Sequence, residues 1–149
     1  MIDWYDNQIG EEVKYAFNEN EGFLTCCPTN VGTGLRVSLM MHLPALMIIN
    51  QLDNLMTSVS KRGYAVRGFY GEGTDFQGNF FQLSNQSTLG LPEKEIIKNL
   101  ELVSNKLIEK EQQARDELML RSKKKIEDQV LRAYGILTNA IIISTVEAI

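Results

Sequence analysis

Positive charge, cysteine and long hydrophobic runs are all scarce in this chain of 149 residues, and each scarcity excludes a class of protein. Acidic residues outnumber Lys plus Arg by 19 to 15, so there is no general attraction for a polyanion such as nucleic acid. The two cysteines are adjacent and there is one histidine, which excludes a disulfide framework and a clustered zinc ligand set. No leader pattern stands at the start, and no apolar run of about 18 residues could span a bilayer. We therefore expect a cytoplasmic protein with free thiols and no membrane partner.

A hydrophobic content of 44% over this length is enough to bury one sizeable core, so we expect one domain. The basic run from Arg121 to Lys125 falls in a helical pattern within an acidic chain. We interpret it as the solvated face of a helix, and we expect no direct nucleic-acid partner.

The stretch from Leu35 to Leu43 alternates apolar and other residues, which predicts a half-buried strand. One face carries the side chains Leu35, Val37, Leu39, Met41 and Leu43. The opposite face carries Arg36, Ser38, Met40 and His42. Because polar residues on one face of a sheet look towards solvent or ligand, function should be sought on the second face.

Two further strands are predicted at Tyr64–Tyr70 and Asn79–Ser84, joined by the glycine-rich loop Gly71–Asp75. Antiparallel pairing is the simpler arrangement for them. Before them, apolar residues recur at spacings of three and four from Pro44 to Val59, and the run ends at a glycine. This pattern predicts one capped amphipathic helix.

Helices are also predicted at both ends of the chain. Residues 3 to 20 have a helical pattern around Ile9, Val13 and Phe17, which predicts a short amphipathic helix. From Pro92 onwards one or two long helices are expected, with Pro92 as the first helical residue. Their apolar stripe comprises Ile96, Leu100, Val103, Leu107, Ala114, Leu118, Ile126 and Val130.

The segment Gly22–Ser38 contains Cys-Pro-Thr-Asn-Val-Gly-Thr-Gly and then Leu35-Arg36. Taken alone, this is a turn-rich loop before a strand. Together with downstream motifs, however, it resembles the core signature of the ATP:guanidino phosphotransferases, or phosphagen kinases. Those motifs are His42-Leu43-Pro44, Val66-Arg67-Gly68, Gly71-Glu72-Gly73, Ser84-Asn85-Gln86 and Leu89-Gly90. The resemblance covers nearly the whole chain. In the residues of its motifs, the chain resembles the bacterial kinases that phosphorylate arginine side chains of proteins more than it resembles arginine or creatine kinases.

The resemblance implies an α+β fold, an antiparallel sheet flanked by helices of the glutamine-synthetase-like type, with Mg-ATP lying across its open face. It also implies that residues 1–149 are the C-terminal portion of the catalytic domain, with the upstream part missing. That part would contain the Asn-Glu-Glu-Asp type of motif, which supplies a second catalytic carboxylate and which has no match here. We therefore expect the chain alone to be inactive.

By the same resemblance, Arg36 and Arg67 match arginines that hold the nucleotide phosphates. Planar guanidinium groups suit this task, because they bind phosphate oxygens bidentately and neutralise charge during phosphoryl transfer. A surface ion pair is the plain alternative for each. The remaining residues implied to line the nucleotide site are Val37, Ser38, Leu39, Met40, Gly68, Phe69, Tyr70, Gly71 and Glu72.

Two residues are implied to act on the acceptor guanidinium. Glu72 matches a carboxylate that orients the attacking nitrogen and helps to remove its proton, which a group of pKa above about 12 requires. Cys27 matches the reactive cysteine of the family, and its thiolate would position the cationic guanidinium. Cys26 has no match and is expected to be a packing residue that points the other way. His42 is expected to be structural rather than catalytic.

The expected activity is ATP-dependent phosphorylation of arginine in proteins by the intact enzyme, with arginine-bearing proteins and ATP or ADP as partners. Two alternatives stay open: a small-molecule kinase acting on free arginine or a relative, and a catalytically dead regulatory domain. No magnesium ligand is assigned on the protein, because Mg²⁺ would be held through the nucleotide. The sequence leaves open a homo-oligomer or an activator protein.

Overall fold

The computed structural model describes residues 2–68 and 77–148, which form an α+β fold with two small antiparallel sheets. An N-terminal helix and hairpin come first, then a three-stranded sheet with two short helices inserted, then one long helix. In chain order the elements are α1 (Ile2–Glu12), β1 (Phe17–Asn18), β2 (Gly22–Phe23), β3 (Ser38–His42), α2 (Pro44–Ile48), α3 (Leu52–Ser60), β4 (Tyr64–Gly68), β5 (Phe80–Asn85), α4 (Glu93–Asn139) and α5 (Thr145–Ala148).

The larger sheet has the strand order β3-β5-β4, with β5 paired antiparallel to both neighbours. The predicted antiparallel pairing of the second and third strands is thus confirmed. Because Met40 and Arg67 both lie opposite Gln82, these three residues form one row across the sheet. Ser38, Ser84 and Ala65 form the adjacent row on the same face.

The core lies on the other face of this sheet, against α2, α3 and α4. Met41, Phe81 and Leu83 project from the strands and are each less than a tenth exposed, as the alternation predicted for β3. Burial of such side chains is the main favourable contribution to folding. The remaining buried apolar residues of the cluster are Leu43, Ala45, Leu46, Leu52, Met56, Val59, Leu100, Leu107 and Ala114.

The single helix predicted between Pro44 and Gly63 is wrong, because two helices, α2 and α3, occupy that segment. Asn50 adopts a φ of 56°, in the left-handed region that asparagine tolerates better than most residues. The chain therefore turns between Ile48 and Leu52. Those two residues are still four apart, so the apolar periodicity runs through the break without revealing it.

The N-terminal helix is shorter than predicted. It ends at Glu12, and Phe17 belongs to β1, where it pairs with Phe23 of β2. The rings of Phe17 and Tyr15 both make edge contacts with the ring of Phe23. The spacing of Ile9, Val13 and Phe17 is therefore not that of one helix, because aromatic contacts in a hairpin replace the last predicted helical turns.

The long C-terminal helix is confirmed as α4, with Pro92 as its N-cap rather than its first residue and with a non-helical residue, Ser122, inside it. The predicted stripe is buried or half-buried as far as Ile126 and contacts the core as far as Leu118, whereas Val130 is exposed. The stripe therefore packs on the sheet only over the first part of α4. Across residues 2–68 and 77–148, we find no helix with the length and low charge needed to cross a bilayer.

A buried carboxylate joins α4 to the start of α2. The two oxygens of Glu111 accept hydrogen bonds from the backbone N–H groups of Ala45 and Leu46, each at 3.0 Å. The Nε of Arg115 donates to the same carboxylate at 2.8 Å. Amides at a helix N-terminus have no partner within the helix, so this contact satisfies two of them and fixes α2 against α4.

Replacing Glu111 by Gln is expected to lower the free energy of unfolding by about 1–3 kcal/mol, because the amide cannot accept both buried N–H groups. Urea unfolding followed by circular dichroism measures the change. Glu109→Gln, an exposed site on the same helix, is the control and should stay within about 0.5 kcal/mol of the wild type. Equal stability of the two variants would contradict the role given to Glu111.

Candidate nucleotide and guanidinium site

The open face of the larger sheet carries the polar residues predicted for β3. Ser38, Met40 and His42 are exposed there, and Arg67 of β4 lies in the same row as Met40. Arg67 is half-buried. The β3 side of this face is thus accessible and opposite the packed core, whereas Ser84 of the central strand, on the same face, is buried.

Arg36 stands just before β3, between two half-buried neighbours. Leu35 and Val37 point inward, and Val37 packs against the core, whereas Arg36 is exposed. In extended backbone, alternate side chains share a face, so Arg36 lies on the same side as Ser38. The predicted strand face is therefore continued by Arg36.

The two arginines are on one face but are not adjacent. Arg36 precedes Met40 by four residues, which is about 13 Å along the strand, and Arg67 is two strands away, about 10 Å across. They mark two corners of the open face, with Ser38 and Met40 between them. A single ligand could contact both if it spans these corners or if the two long side chains converge between them.

The other residues predicted to line the nucleotide site divide between the two faces. Ser38 and Met40 project from the open face. Val37 packs on the core, Leu39 pairs with Leu83 on the core side, and Gly68 is buried opposite Phe81. Val37, Leu39 and Gly68 could therefore line a pocket on the open face through their backbone, and their assignment stays a prediction. Phe69, Tyr70, Gly71 and Glu72 lie outside the described residues, and their assignments stay predictions.

Cys27 begins the loop that leads to Arg36, immediately before a short 3₁₀ turn at Pro28–Asn30. Its Sγ lies 3.0 Å from the hydroxyl oxygen of Thr29. This hydrogen bond, a second one from the Thr29 backbone and the positive charge of Arg36 all hold the pKa of the Cys27 thiol below its ordinary value. A thiolate so favoured, in an exposed position, suits contact with a cationic guanidinium.

The expectation that Cys26 is a packing residue is wrong, because Cys26 and Cys27 are both exposed. Adjacent side chains point to opposite faces only in a strand, and residues 24–27 form no strand in the structure. Exposure therefore does not distinguish the two thiols. The Thr29 hydrogen bond does, since it belongs to Cys27.

We expect Cys27 to be alkylated faster than Cys26 in a brief iodoacetamide pulse at neutral pH, read by mass spectrometry. In Thr29→Val the hydroxyl is lost, so the Cys27 pKa should rise and its thiolate fraction should fall. The midpoint of its alkylation against pH should shift upwards. Thr57→Val, an exposed site on α3, is the control. Faster labelling of Cys26 would reverse the roles assigned to the two cysteines.

The loop between Cys27 and Arg36 is held by residues that the sequence interpretation did not single out individually. The Thr88 hydroxyl lies 3.1 Å from the carbonyl oxygen of Thr29 and 2.7 Å from that of Val31. The Thr88 carbonyl accepts the backbone N–H of Thr33 at 3.0 Å. Gly32 has a φ of 105°, and a β-carbon there would collide with the Thr88 backbone. The loop is thus fitted closely to the segment after β5.

His42 stacks on Phe80, with ring centroids 4.7 Å apart and an angle of 27° between planes. This contact accords with the structural role expected for the lone histidine. It places the imidazole at the far end of β3 from Arg36, away from Cys27.

This fold and these motifs occur together in a known family of proteins. The model of the ATP:guanido phosphotransferase C-terminal catalytic domain matches residues 1–114, and the chain belongs to this family. The expected α+β fold is confirmed by a solved structure, the duplicated taurocyamine kinase of Schistosoma mansoni with bound transition-state-analogue components. It is 32% identical, with a TM-score of 0.59, over 70% of this chain and 14% of that chain.

Among curated relatives, the chain is similar to two proteins named protein-arginine kinase. That of Caldanaerobacter subterraneus subsp. tengcongensis is 54% identical over 99% of this chain, and that of Moorella thermoacetica is 51% identical over 100%. The chain spans 44% and 43% of the lengths of these relatives. The resemblance to protein-arginine kinases is thereby confirmed over the part of them that the chain covers.

Proposed function

We propose that the full-length protein containing this chain transfers the γ-phosphoryl group of ATP to arginine side chains of proteins, in the cytoplasm. The observation that carries the proposal is the identity of 54% to a protein-arginine kinase across 99% of the chain. The chain would supply part of the nucleotide surface and part of the guanidinium site. The whole reaction would require the longer protein.

The open face suits the nucleotide of such a reaction. Arg36 and Arg67 offer guanidinium groups at two corners of an accessible surface, and Ser38 between them offers a hydroxyl. Charge-assisted hydrogen bonds of this kind hold phosphate oxygens and stabilise the charge of a loose transition state. Mg²⁺ bound to the nucleotide would add further neutralisation of the phosphate oxygens.

The acceptor nitrogen needs orientation and the loss of a proton. A guanidinium lone pair is delocalised, so the attacking nitrogen must be held by negative groups while it forms the bond to phosphorus and ADP departs. Cys27, with its lowered thiol pKa, supplies one such group, and Glu72 is proposed as another. We assign Cys27 electrostatic positioning rather than a covalent phosphocysteine intermediate.

A small-molecule guanidino kinase is the second candidate, favoured by the identity of 32% to a taurocyamine kinase. The test that separates the two compares acceptors for the full-length protein with labelled ATP. We expect acid-labile label in an arginine-containing protein and little label on free arginine. Efficient transfer to free arginine alone would overturn the protein-directed function, and no transfer to either acceptor would favour a regulatory domain.

A further inference from the structure

Asn85, at the end of β5, is buried at 6% exposure, and its side chain bonds to three backbone groups of other residues. The N–H of Val37 donates to Asn85 Oδ1 at 2.8 Å. Asn85 Nδ2 donates to the carbonyl oxygens of Leu35 at 2.9 Å and Ser87 at 3.1 Å. The backbone N–H of Asn85 also donates to the Val37 carbonyl at 3.3 Å.

The partners fix the orientation of this amide. Leu35 and Ser87 present carbonyl oxygens, which accept hydrogen bonds, so the NH₂ group must face them. Val37 presents an N–H group, so the amide oxygen must face it. Aspartate has nearly the same shape but could not donate to either carbonyl. Of these two side chains, therefore, only asparagine can make all three hydrogen bonds.

The two groups bonded to Asn85 near β3 belong to the peptide units on either side of Arg36. The Leu35 carbonyl lies in the unit before Arg36, and the Val37 N–H lies in the unit after it. Holding both units restricts the φ and ψ angles of Arg36, because these angles relate the two peptide planes. Residues 35–37 precede β3, which begins at Ser38. Here the side chain of Asn85 makes the hydrogen bonds that the backbone of a neighbouring strand would otherwise make.

This restraint determines where the Arg36 side chain points. With Leu35 and Val37 held inward, Arg36 must project to the open face, where it is exposed. An exposed arginine on an unrestrained loop would lose conformational entropy on binding a phosphate, whereas a pre-oriented one loses less. The restraint comes from the core side of the sheet, so it leaves the guanidinium group free for a ligand.

We propose that Asn85 is a positioning residue that holds Arg36 in the conformation in which it binds the nucleotide phosphates. The inference rests on the phosphate-binding role proposed for Arg36 and extends that site to a residue that contacts no ligand. Its effect on nucleotide affinity must pass through Arg36, and a general structural effect would not.

A double-mutant cycle tests the proposal. Binding of ADP with Mg²⁺ is measured by calorimetry on the full-length protein as wild type, Asn85→Ala, Arg36→Ala and the double variant. We expect Asn85→Ala to weaken ADP binding about tenfold when Arg36 is present, and no more than about twofold when it is absent. If Asn85→Ala is too unstable to purify, Asn85→Ser passes through the same cycle with the same expectation.

Two controls separate positioning from loss of stability. Glu111→Gln removes a buried polar contact at the other end of β3 and should leave ADP affinity within about twofold of the wild type. Adenosine, which lacks phosphates, should bind equally to wild type and Asn85→Ala. If Asn85→Ala weakened ADP binding equally with and without Arg36, the positioning role of Asn85 would be overturned, whereas the proposed role of Arg36 would stand. Unchanged ADP affinity in Arg36→Ala would overturn the proposed role of Arg36, and this inference with it.

Discussion

Arg36→Ala in the full-length protein is expected to lower kcat/KM for phosphoryl transfer by about a thousandfold or more, the scale of arginines that stabilise transferring phosphoryl groups. Arg36 is the exposed guanidinium on the open face whose backbone is held on both sides. Its loss would remove the charge-assisted hydrogen bonds that we propose it makes to the nucleotide. It also removes a positive charge that lowers the pKa of the Cys27 thiol.

Arg36→Lys distinguishes charge from geometry in this effect. Lysine keeps the positive charge but loses the planar fork that binds two phosphate oxygens together. We therefore expect an intermediate loss, smaller than that of Arg36→Ala and still larger than tenfold, or about 1.4 kcal/mol of barrier.

The measurement is the initial rate of label transfer from ATP at several concentrations of ATP. Arg62→Ala is the matched control, an exposed arginine next to the end of α3 and outside the open face, and it should stay within about twofold of the wild type. If Arg36→Ala and Arg62→Ala behaved alike, Arg36 would be an ordinary surface cation.

Much of the fold could be predicted because hydrophobic periodicity reports which face of an element is buried. The alternation from Leu35 to Leu43 identified β3 and its open face, and the stripe from Ile96 to Leu118 identified the packed part of α4. Both patterns depend on many residues, so local exceptions such as Leu39, which is 38% exposed, do not hide them. Antiparallel pairing of β4 and β5 was predicted as the simpler arrangement for two consecutive strands joined by a glycine-rich loop, and it is the pairing found.

The interruptions of the elements could not be predicted in the same way. The break at Asn50 depends on one left-handed residue and leaves the apolar spacing unchanged. The end of α1 at Glu12 depends on contacts of Phe17 with Phe23 across a hairpin. Tertiary contacts of this kind outweigh intrinsic helix preference, which is worth less than about 1 kcal/mol for ordinary residues.

The candidate site divides along a similar line. Residues that are proposed to meet a ligand, such as Arg36 and Cys27, stand in long ordered motifs and could be singled out from them. Asn85 also stands in a motif, but its contacts near Arg36 and those of Thr88 are with backbone groups about 50 or more residues away, and nothing in the chain order links these residues to those groups. The exposure of Cys26 was misjudged because the loop before Pro28 is irregular.

Glu72→Gln in the full-length protein is expected to lower kcat by about a hundredfold to ten-thousandfold, the range for loss of a positioned acid–base group. Glutamine has nearly the same shape, but it carries no charge to hold the guanidinium and cannot take its proton. Nucleotide affinity should change little, because Arg36 and Arg67 are proposed to carry the phosphate contacts. The variant should therefore lower kcat while leaving the Kd for ADP nearly unchanged.

The two quantities are obtained from label transfer to an arginine-containing protein at saturating ATP and from calorimetry with ADP. Glu101→Gln, an exposed carboxylate on α4, is the control for loss of one negative charge. Since catalytic groups that act as a unit are not additive, adding Cys27→Ala to Glu72→Gln should cost much less than the product of the separate losses. Losses that multiply in full would mean that Glu72 and Cys27 act independently on the acceptor. Near-normal kcat in Glu72→Gln would make Glu72 an ordinary loop acid and leave Cys27 as the negative group of this chain that meets the guanidinium.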